Sequence, residues 1–474
     1  MPSLSLMGES ERWVEDARVY HPRKPKESPL WSLLNTYYES FEQHYKERFE
    51  KEYGFFRPVI SEVVSDYLKC GDLKEGFARV RCPECKHEFL LAFSCRGRWF
   101  CPSCHAKKVI LFGEHLREEI LYPVPHRQFV FSIPIILRKY FRYNRDLLSM
   151  LCHAANLSLT TFFRTTTGLK GGVPGIVMVI HTYGDYGRWH PHIHAIVADG
   201  LFTKSGTFYV MPRDIDLTPL AELFRAQVLT MLHKAGKIDA ALVQNLMKWQ
   251  HTSGFSVHGG TRIARDNDEG KERLAQYIIR NPFSLEKLTY IEATGKVIYH
   301  SKMTHGKNRK NFEVYEAEEF IATITQHIPE KSFQLVRYYG WYSNRARGER
   351  YKAAGKDAFP DSTPDSKDVE VLDVSTYKPR RIPSKTWREC IKKVWEADPL
   401  ECPKCGFEMK IISFISAAQK DVIRRILEHL KLWEEPVPRN KAPPEKSQPV
   451  QREIFYEPID DGWPGYEEPA ITVE

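Results

Sequence analysis

The hydrophobic pattern changes period several times along the chain. Residues 1–65 read as helical, with Tyr37, Phe41 and Tyr45 at i, i+4 and i+8 as in a packed amphipathic helix. Residues 128–134 form a short continuous apolar run and predict a buried strand. Residues 144–163 return to helical spacing, with Leu148, Leu151, Ala155 and Leu159 on one face. Residues 175–182 predict a second strand. After a turn through residues 183–187 comes a third, residues 189–197, in which Ile193, Ala195 and Val197 alternate with His190, His192 and His194. Two strands around a Gly-containing turn predict an antiparallel hairpin. A turn centred near Tyr186 and Gly187 sets His181 across from His192, whereas a slip of one residue turns it to the other face.

Further on, helices are predicted over residues 219–235 and 240–249 and a short strand over 255–258. A helix over 269–280 follows, with Leu274 and Ile278 inward, Tyr277 on board and Pro282 just past its end. Residues 298–312 are a basic, β-like segment. Residues 334–352 interleave rings and guanidinium groups. This suits single-stranded nucleic acid and equally suits a packed aromatic core. Strand, helix, hairpin, helices, strand and helix in that order predict an α+β fold, an antiparallel sheet flanked by helices. The expected organisation is a helical segment (1–65), a zinc-ribbon domain (66–120), a catalytic domain (121–355), a linker (356–386), a small C-terminal module (387–432) and a disordered acidic, Pro-rich tail (433–474).

Charge adds an asymmetry. The net charge of +8 over 474 residues combines a tail of −6 from Trp433 onward with +14 elsewhere, which favours a polyanionic partner. The first residues carry no apolar leader and no run approaches a membrane span, so an intracellular, cytoplasmic and nucleoid-associated protein is expected.

In such a chain, C-x-x-C pairs point to metal sites rather than disulfides. Cys82 and Cys85 are followed after fifteen residues by Cys101 and Cys104, the spacing of a closed four-thiolate structural zinc ribbon. Cys70, Cys95, His87 and His105 are expected to be bystanders. Arg96, Arg98, Lys107 and Lys108 flank the ribbon, suited to a phosphate backbone. Cys402 and Cys405 offer half of a possible second zinc site, for which Cys390 and His429 have no persuasive spacing.

Three imidazoles on one strand face are ready metal ligands. An amidohydrolase barrel requires βα alternation that is absent. A non-catalytic zinc and DNA-binding protein leaves the histidines without purpose. A metal-assisted nuclease with a tyrosine nucleophile accounts for both, because a phenol of pKa about 10 needs help to attack a phosphate at neutral pH.

With these features in order, the chain resembles transposases of the insertion sequence 91 family, which includes the common-region elements. His192-Ile193-His194 has the form of the HUH motif of single-stranded DNA endonucleases. The likeness runs from Cys82-Pro83-Glu84-Cys85 and Cys101-Pro102-Ser103-Cys104 through the histidine strand and Tyr277-Ile278-Ile279-Arg280. It continues through Arg337-Tyr338-Tyr339-Gly340 to Cys402-Pro403-Lys404-Cys405-Gly406.

The resemblance implies an HUH-type nuclease core and rolling-circle transposition. Tyr277 would be the nucleophile, giving a 5′-phosphotyrosyl link. His192 and His194 would hold Mg²⁺ or Mn²⁺, with His181, His190, Asp185, Gln276 or Asn281 open as third ligand and His181 preferred. Some members carry two tyrosines four residues apart, but Asn281 and Arg273 stand at those positions here, so the chain looks like the single-tyrosine type. Arg280, Lys307, Arg309, Lys310, Arg337, Tyr339, Trp341, Arg345 and Arg347 are the remaining expected DNA contacts. Single-stranded element ends, target DNA and a host helicase or polymerase are the expected partners. A replication initiator or relaxase is the alternative within the same chemistry. Substituting Cys82 or Cys101 is expected to lower the bound zinc, as read by elemental analysis.

Overall fold

The computed structural model describes residues 24–97, 99–248, 254–301, 311–353, 370–383, 386–395 and 397–433. Arg98, Lys307, Arg309, Lys310 and the acidic tail after Trp433 lie outside them.

The chain opens with α1 (Pro29–Arg48), whose cap Ser28 accepts from the Trp31 amide and whose first position is proline. After α2 (Glu50–Tyr53) and α3 (Pro58–Leu68) comes a hairpin, β1 (Gly76–Arg81) and β2 (Glu88–Ala92). Next is α4 (Pro102–His115), which ends in a π turn over Leu116–Ile120.

The central part runs β3 (His126–Ser132), α5 (Ile135–Tyr143), α6 (Asp146–Thr167), β4 (Gly175–Tyr183) and β5 (Trp189–Ala198). It continues through β6 (Gly200–Phe202), β7 (Thr207–Val210), α7 (Thr218–Lys234), α8 (Ala240–Lys248), β8 (Ser256–Gly259) and α9 (Asp268–Ile278). Then come β9 (Leu288–Ile291), β10 (Lys296–His300), β11 (Phe312–Glu316), α10 (Ala317–Thr325), β12 (Val336–Gly340) and α11 (Asn344–Ala353). The chain finishes with β13 (Val371–Asp373), α12 (Trp387–Trp395), β14 (Lys410–Ser416) and α13 (Lys420–His429).

The central sheet has the order β12-β4-β5-β3-β8 with every neighbour antiparallel. Strand alternation gives it two distinct faces. Ile176, Met178, Ile180, Ile193, Ala195, Val197, Phe129 and Phe131 share one core with α5–α8, including Leu151, Leu159, Phe163 and Phe224. Val177, Val179, Ile196 and Ala198 share another with Ala275 and Ile278 of α9. The histidines of β5 lie on this second face.

Several expectations change. The segment expected to be a linker contributes β13, which pairs antiparallel with β7, and its Arg380 amide donates to the Glu118 carbonyl. The C-terminal module is not free-standing, because β14 pairs antiparallel with β1 to make the sheet β14-β1-β2. The N-terminal helices share a core with β9–β11 and α10: Leu33, Phe41 and Tyr45 are buried together with Val297, Tyr315 and Phe320.

Two rings of the ring-and-guanidinium stretch, Trp341 and Tyr342, are core, and its other rings are half-buried or exposed. Trp341 is buried, stacked on Phe202 at 4.7 Å, and Arg350 sits 4.0 Å over its other face. Tyr339 packs against the main core. Arg337 donates to Ser149 and lies over Phe333, and Arg347 lies over Tyr338. Trp341 therefore has no free face for a base, and Tyr339 is half-buried. Arg345 is exposed and pairs with Glu349 one helical turn on. Interleaved rings and cations look alike in sequence whether the rings face a base or one another.

Phe131 is fully buried between the sheet and α7, with Phe224 edge-on at 5.0 Å. Phe131→Ala is expected to cost about 3–5 kcal/mol, read as a lowered thermal midpoint by circular dichroism.

Candidate active site and metal centres

The β4–β5 hairpin sets His181 directly opposite His192. One nitrogen from each of His181, His192 and His194 falls within 4.8 Å of the others. All three rings are buried. Burial pushes the His192 imidazole down to about 4, and burial first, then neighbouring histidines and Arg280, holds His181 and His194 well below the ordinary histidine value. Three neutral imidazoles are the form that coordinates a metal. His190 lies outside this cluster. Its backbone carbonyl accepts from His192 Nδ1 at 2.8 Å, which fixes that tautomer and leaves Nε2 as the ligand atom.

The His181 Nε2–H donates to the Ile278 carbonyl at 2.7 Å. Its Nδ1 is then a bare lone pair, buried and without a hydrogen-bond partner among the described residues. An unsatisfied lone pair beside two other imidazole nitrogens fits a divalent ion. Gln128 on β3, one strand over, donates its amide to His194 Nδ1 at 3.0 Å. This leaves the His194 proton on Nε2, directed at His192 Nε2 3.1 Å away. Metal binding requires that proton to leave or to move to Nδ1, where a turned Gln128 amide would accept it. Gln128 was not anticipated from the sequence. Its only signal is one amide next to the apolar run Phe129-Val130-Phe131, on the face shared with the histidines.

Tyr277 reaches the cluster from α9. Asn267 caps this helix, its side chain accepting from the Gly270 amide. The Tyr277 ring lies edge-on to His194 with centroids 5.8 Å apart, and the Arg280 guanidinium sits 4.6 Å over the phenol ring. Arg280 itself is exposed.

The carbonyl end of α9 is held by three side chains. His181 takes Ile278, the His105 Nε2–H donates to Ile279 at 2.6 Å, and the Tyr183 hydroxyl donates to Arg280 at 3.0 Å. His105, expected as a bystander, is neutral, lowered to about 4 by burial. Its Nδ1 accepts from the Trp99 amide.

The cysteines regroup. Cys70, Cys95, Cys101 and Cys104 form one cluster and Cys82, Cys85, Cys402 and Cys405 another. The expected set of Cys82, Cys85, Cys101 and Cys104 does not assemble. Cys101-Pro102-Ser103-Cys104 opens helix α4, with Pro102 in its first turn. Cys82–Cys85 lies in the turn between β1 and β2 and faces the C-terminal pair. Spacing along the chain describes each loop but not which loops meet. Arg96 is exposed beside the first cluster, Lys107 is half-buried on α4, and the Lys108 ammonium sits 4.0 Å over the Trp99 ring.

This helix-flanked antiparallel sheet, with its histidine cluster faced by a tyrosine and its cysteine-rich module, belongs to a chain whose similarities to known proteins are all to transposases. A family model described as a transposase zinc-binding domain matches residues 39–133, and one described as a putative transposase matches residues 175–350. The chain is 25% identical over 376 residues to the transposase for insertion sequence element IS801 from Pseudomonas savastanoi pv. phaseolicola, covering 77% of this chain and 86% of that protein. It is 26% identical over 363 residues to putative transposase y4qJ from Sinorhizobium fredii (strain NBRC 101917 / NGR234), covering 73% and 90%. No solved structure matches significantly. Over most of its length the chain is similar to transposases of the insertion sequence 91 family. Among the described residues, no helix is long and apolar enough to cross a membrane.

Gln128→Leu removes the hydrogen bond that orients His194 and is expected to weaken Mn²⁺ binding by about 10–100-fold in calorimetry. His181→Ala is expected to weaken it further.

Proposed function

We propose that the protein nicks and rejoins single-stranded DNA at the ends of a mobile element through a covalent 5′-phosphotyrosyl intermediate on Tyr277, with an HUH-type site. The observation that carries this reading is the edge-on approach of Tyr277 to a three-histidine cluster that includes the His192-Ile193-His194 motif. Tyr277 attacks the phosphorus, the bond to the 3′ oxygen breaks, and the leaving strand takes up a proton as a 3′-hydroxyl. The phosphodiester energy is kept in the tyrosyl ester, so rejoining needs no nucleotide cofactor.

His181, His192 and His194 would hold the divalent ion, which when bound supplies Lewis-acid polarisation of the scissile phosphate. Of the two expected ions, a donor set of three imidazoles with no carboxylate favours Mn²⁺, since Mg²⁺ is held through carboxylates, phosphates and waters. Arg280 supplies fixed positive charge beside the phenol ring, where the attacking oxygen and the phosphate both carry negative charge. Of the expected DNA contacts among the described residues, Arg280, Arg96, Lys107 and, further out on α11, Arg345 are the ones proposed to meet DNA. Element ends, target DNA, a host helicase or polymerase and a position on the nucleoid complete the proposed setting. Only one tyrosine lies on this face of α9, so the second strand transfer falls to a partner subunit, to another tyrosine such as Tyr290, or to the released 3′-hydroxyl.

One experiment tests the chemistry. Wild-type protein is incubated with a labelled single-stranded element-end oligonucleotide and Mn²⁺ and run on a denaturing gel. A covalent adduct is expected for the wild type. Tyr277→Phe should give none while still shifting the oligonucleotide on a native gel. His192→Ala with His194→Ala should lose divalent-dependent nicking. An adduct in Tyr277→Phe sinks the nucleophile assignment, and binding without nicking in the wild type favours a non-catalytic DNA-binding protein.

A further inference from the structure

We propose that Cys82, Cys85, Cys402 and Cys405 bind a second zinc ion, and that this ion clasps the C-terminal strand and helices onto the N-terminal hairpin. Cys82 Sγ lies 3.6 Å from Cys405 Sγ, and Cys85 Sγ lies 3.4 Å from Cys402 Sγ. All four sulfurs fall within 4.8 Å of one another. A tetrahedron with zinc–sulfur bonds of about 2.3 Å has edges of about 3.8 Å. A disulfide needs about 2.05 Å, so these are not bonded pairs.

The two halves are built alike although more than 300 residues separate them. The Cys82 amide donates to the His87 carbonyl, and the Cys402 amide donates to the Phe407 carbonyl. In each, the residue after the second cysteine takes a left-handed conformation, Lys86 at φ 62° and Gly406 at φ 71°. Two such knuckles facing each other make a closed four-thiolate site with no open position, suited to structure and not to catalysis. The Cys70, Cys95, Cys101 and Cys104 cluster is complete without them, and it lies wholly within the matched zinc-binding segment. Cys402 and Cys405 lie far outside that segment.

The junction has reason to need a clasp. The apolar contact there is divided into two small clusters, Val80, Cys82, Cys402 and Met409 at the knuckles and Phe77, Leu90, Ile415, Ile423 and Leu427 at the other end. A core of that size gains most of its stability from a metal. What it secures reaches the active site. Asp398, just before the knuckle, pairs with Arg388 and Lys392 of α12. Lys393 on the same helix bridges Glu114 of α4 at 3.6 Å and Glu272 of α9 at 3.3 Å. Glu272 lies five residues before Tyr277 on the same helix.

The test uses the full chain. Elemental analysis is expected to read two zinc ions per chain, and Cys405→Ser one. Cys85 and Cys405 are both exposed, so as free thiols they would react quickly with iodoacetamide. In the zinc-loaded chain both are expected to be protected, and chelation should expose them, as read by peptide mass mapping. One zinc per wild-type chain overturns the proposal. So does labelling of Cys85 and Cys405 in the zinc-loaded chain at the rate seen after chelation. The labelling needs no variant, so it decides the matter even where Cys405→Ser does not fold.

Discussion

Three successive carbonyls at the end of α9 carry the arrangement of the candidate active site. A helix leaves its last carbonyls without intrahelical partners, and a buried unsatisfied carbonyl costs about 1–3 kcal/mol. Here Ile278, Ile279 and Arg280 accept from His181, His105 and Tyr183. The donors come from two places, β4 of the central sheet and α4 of the cysteine-rich region. Tyr277 cannot shift along or around its axis without breaking several of these bonds together. His181 serves both parts of the site at once, since one nitrogen holds the helix and the other faces the histidine cluster.

The same bonds explain why a cysteine-rich region belongs to this molecule. Cys104 immediately precedes His105, so the first thiol cluster fixes the start of α4 and, through one imidazole, the end of α9. From the opposite side, α12 braces α4 and α9 through Lys393. The tyrosine helix is thus gripped by the sheet below it and by segments from both ends of the chain. Rigid support of this kind suits the proposed attack of Tyr277 on a phosphate, since small displacements of the reacting groups are costly.

Much of the site was legible because strand alternation is a strong local rule. Apolar Ile193, Ala195 and Val197 had to face one core, which sent His192 and His194 to the other face, and the short turn then set His181 opposite His192. Tyr277 was different. Nothing in its local sequence separates it from an ordinary packing tyrosine, and only the family resemblance singled it out. Gln128 was invisible because its role depends on a neighbouring strand. The aromatic stretch ending in Trp341 and Tyr342 was ambiguous in sequence, and packing resolved those two rings into the core.

The sequence by itself determined the hairpin, the histidine face, the helices α6 to α9 and the C-x-x-C pairs, because each follows from periodicity, turn chemistry or spacing within a few residues. Tertiary structure alone decided which knuckles meet, that a supposed linker contributes a strand, and that the C-terminal strand joins the N-terminal hairpin. Those are pairings between segments up to more than 300 residues apart. Local spacing carries no information about them, because each half of such a pair is chemically complete in sequence before its partner is chosen in space.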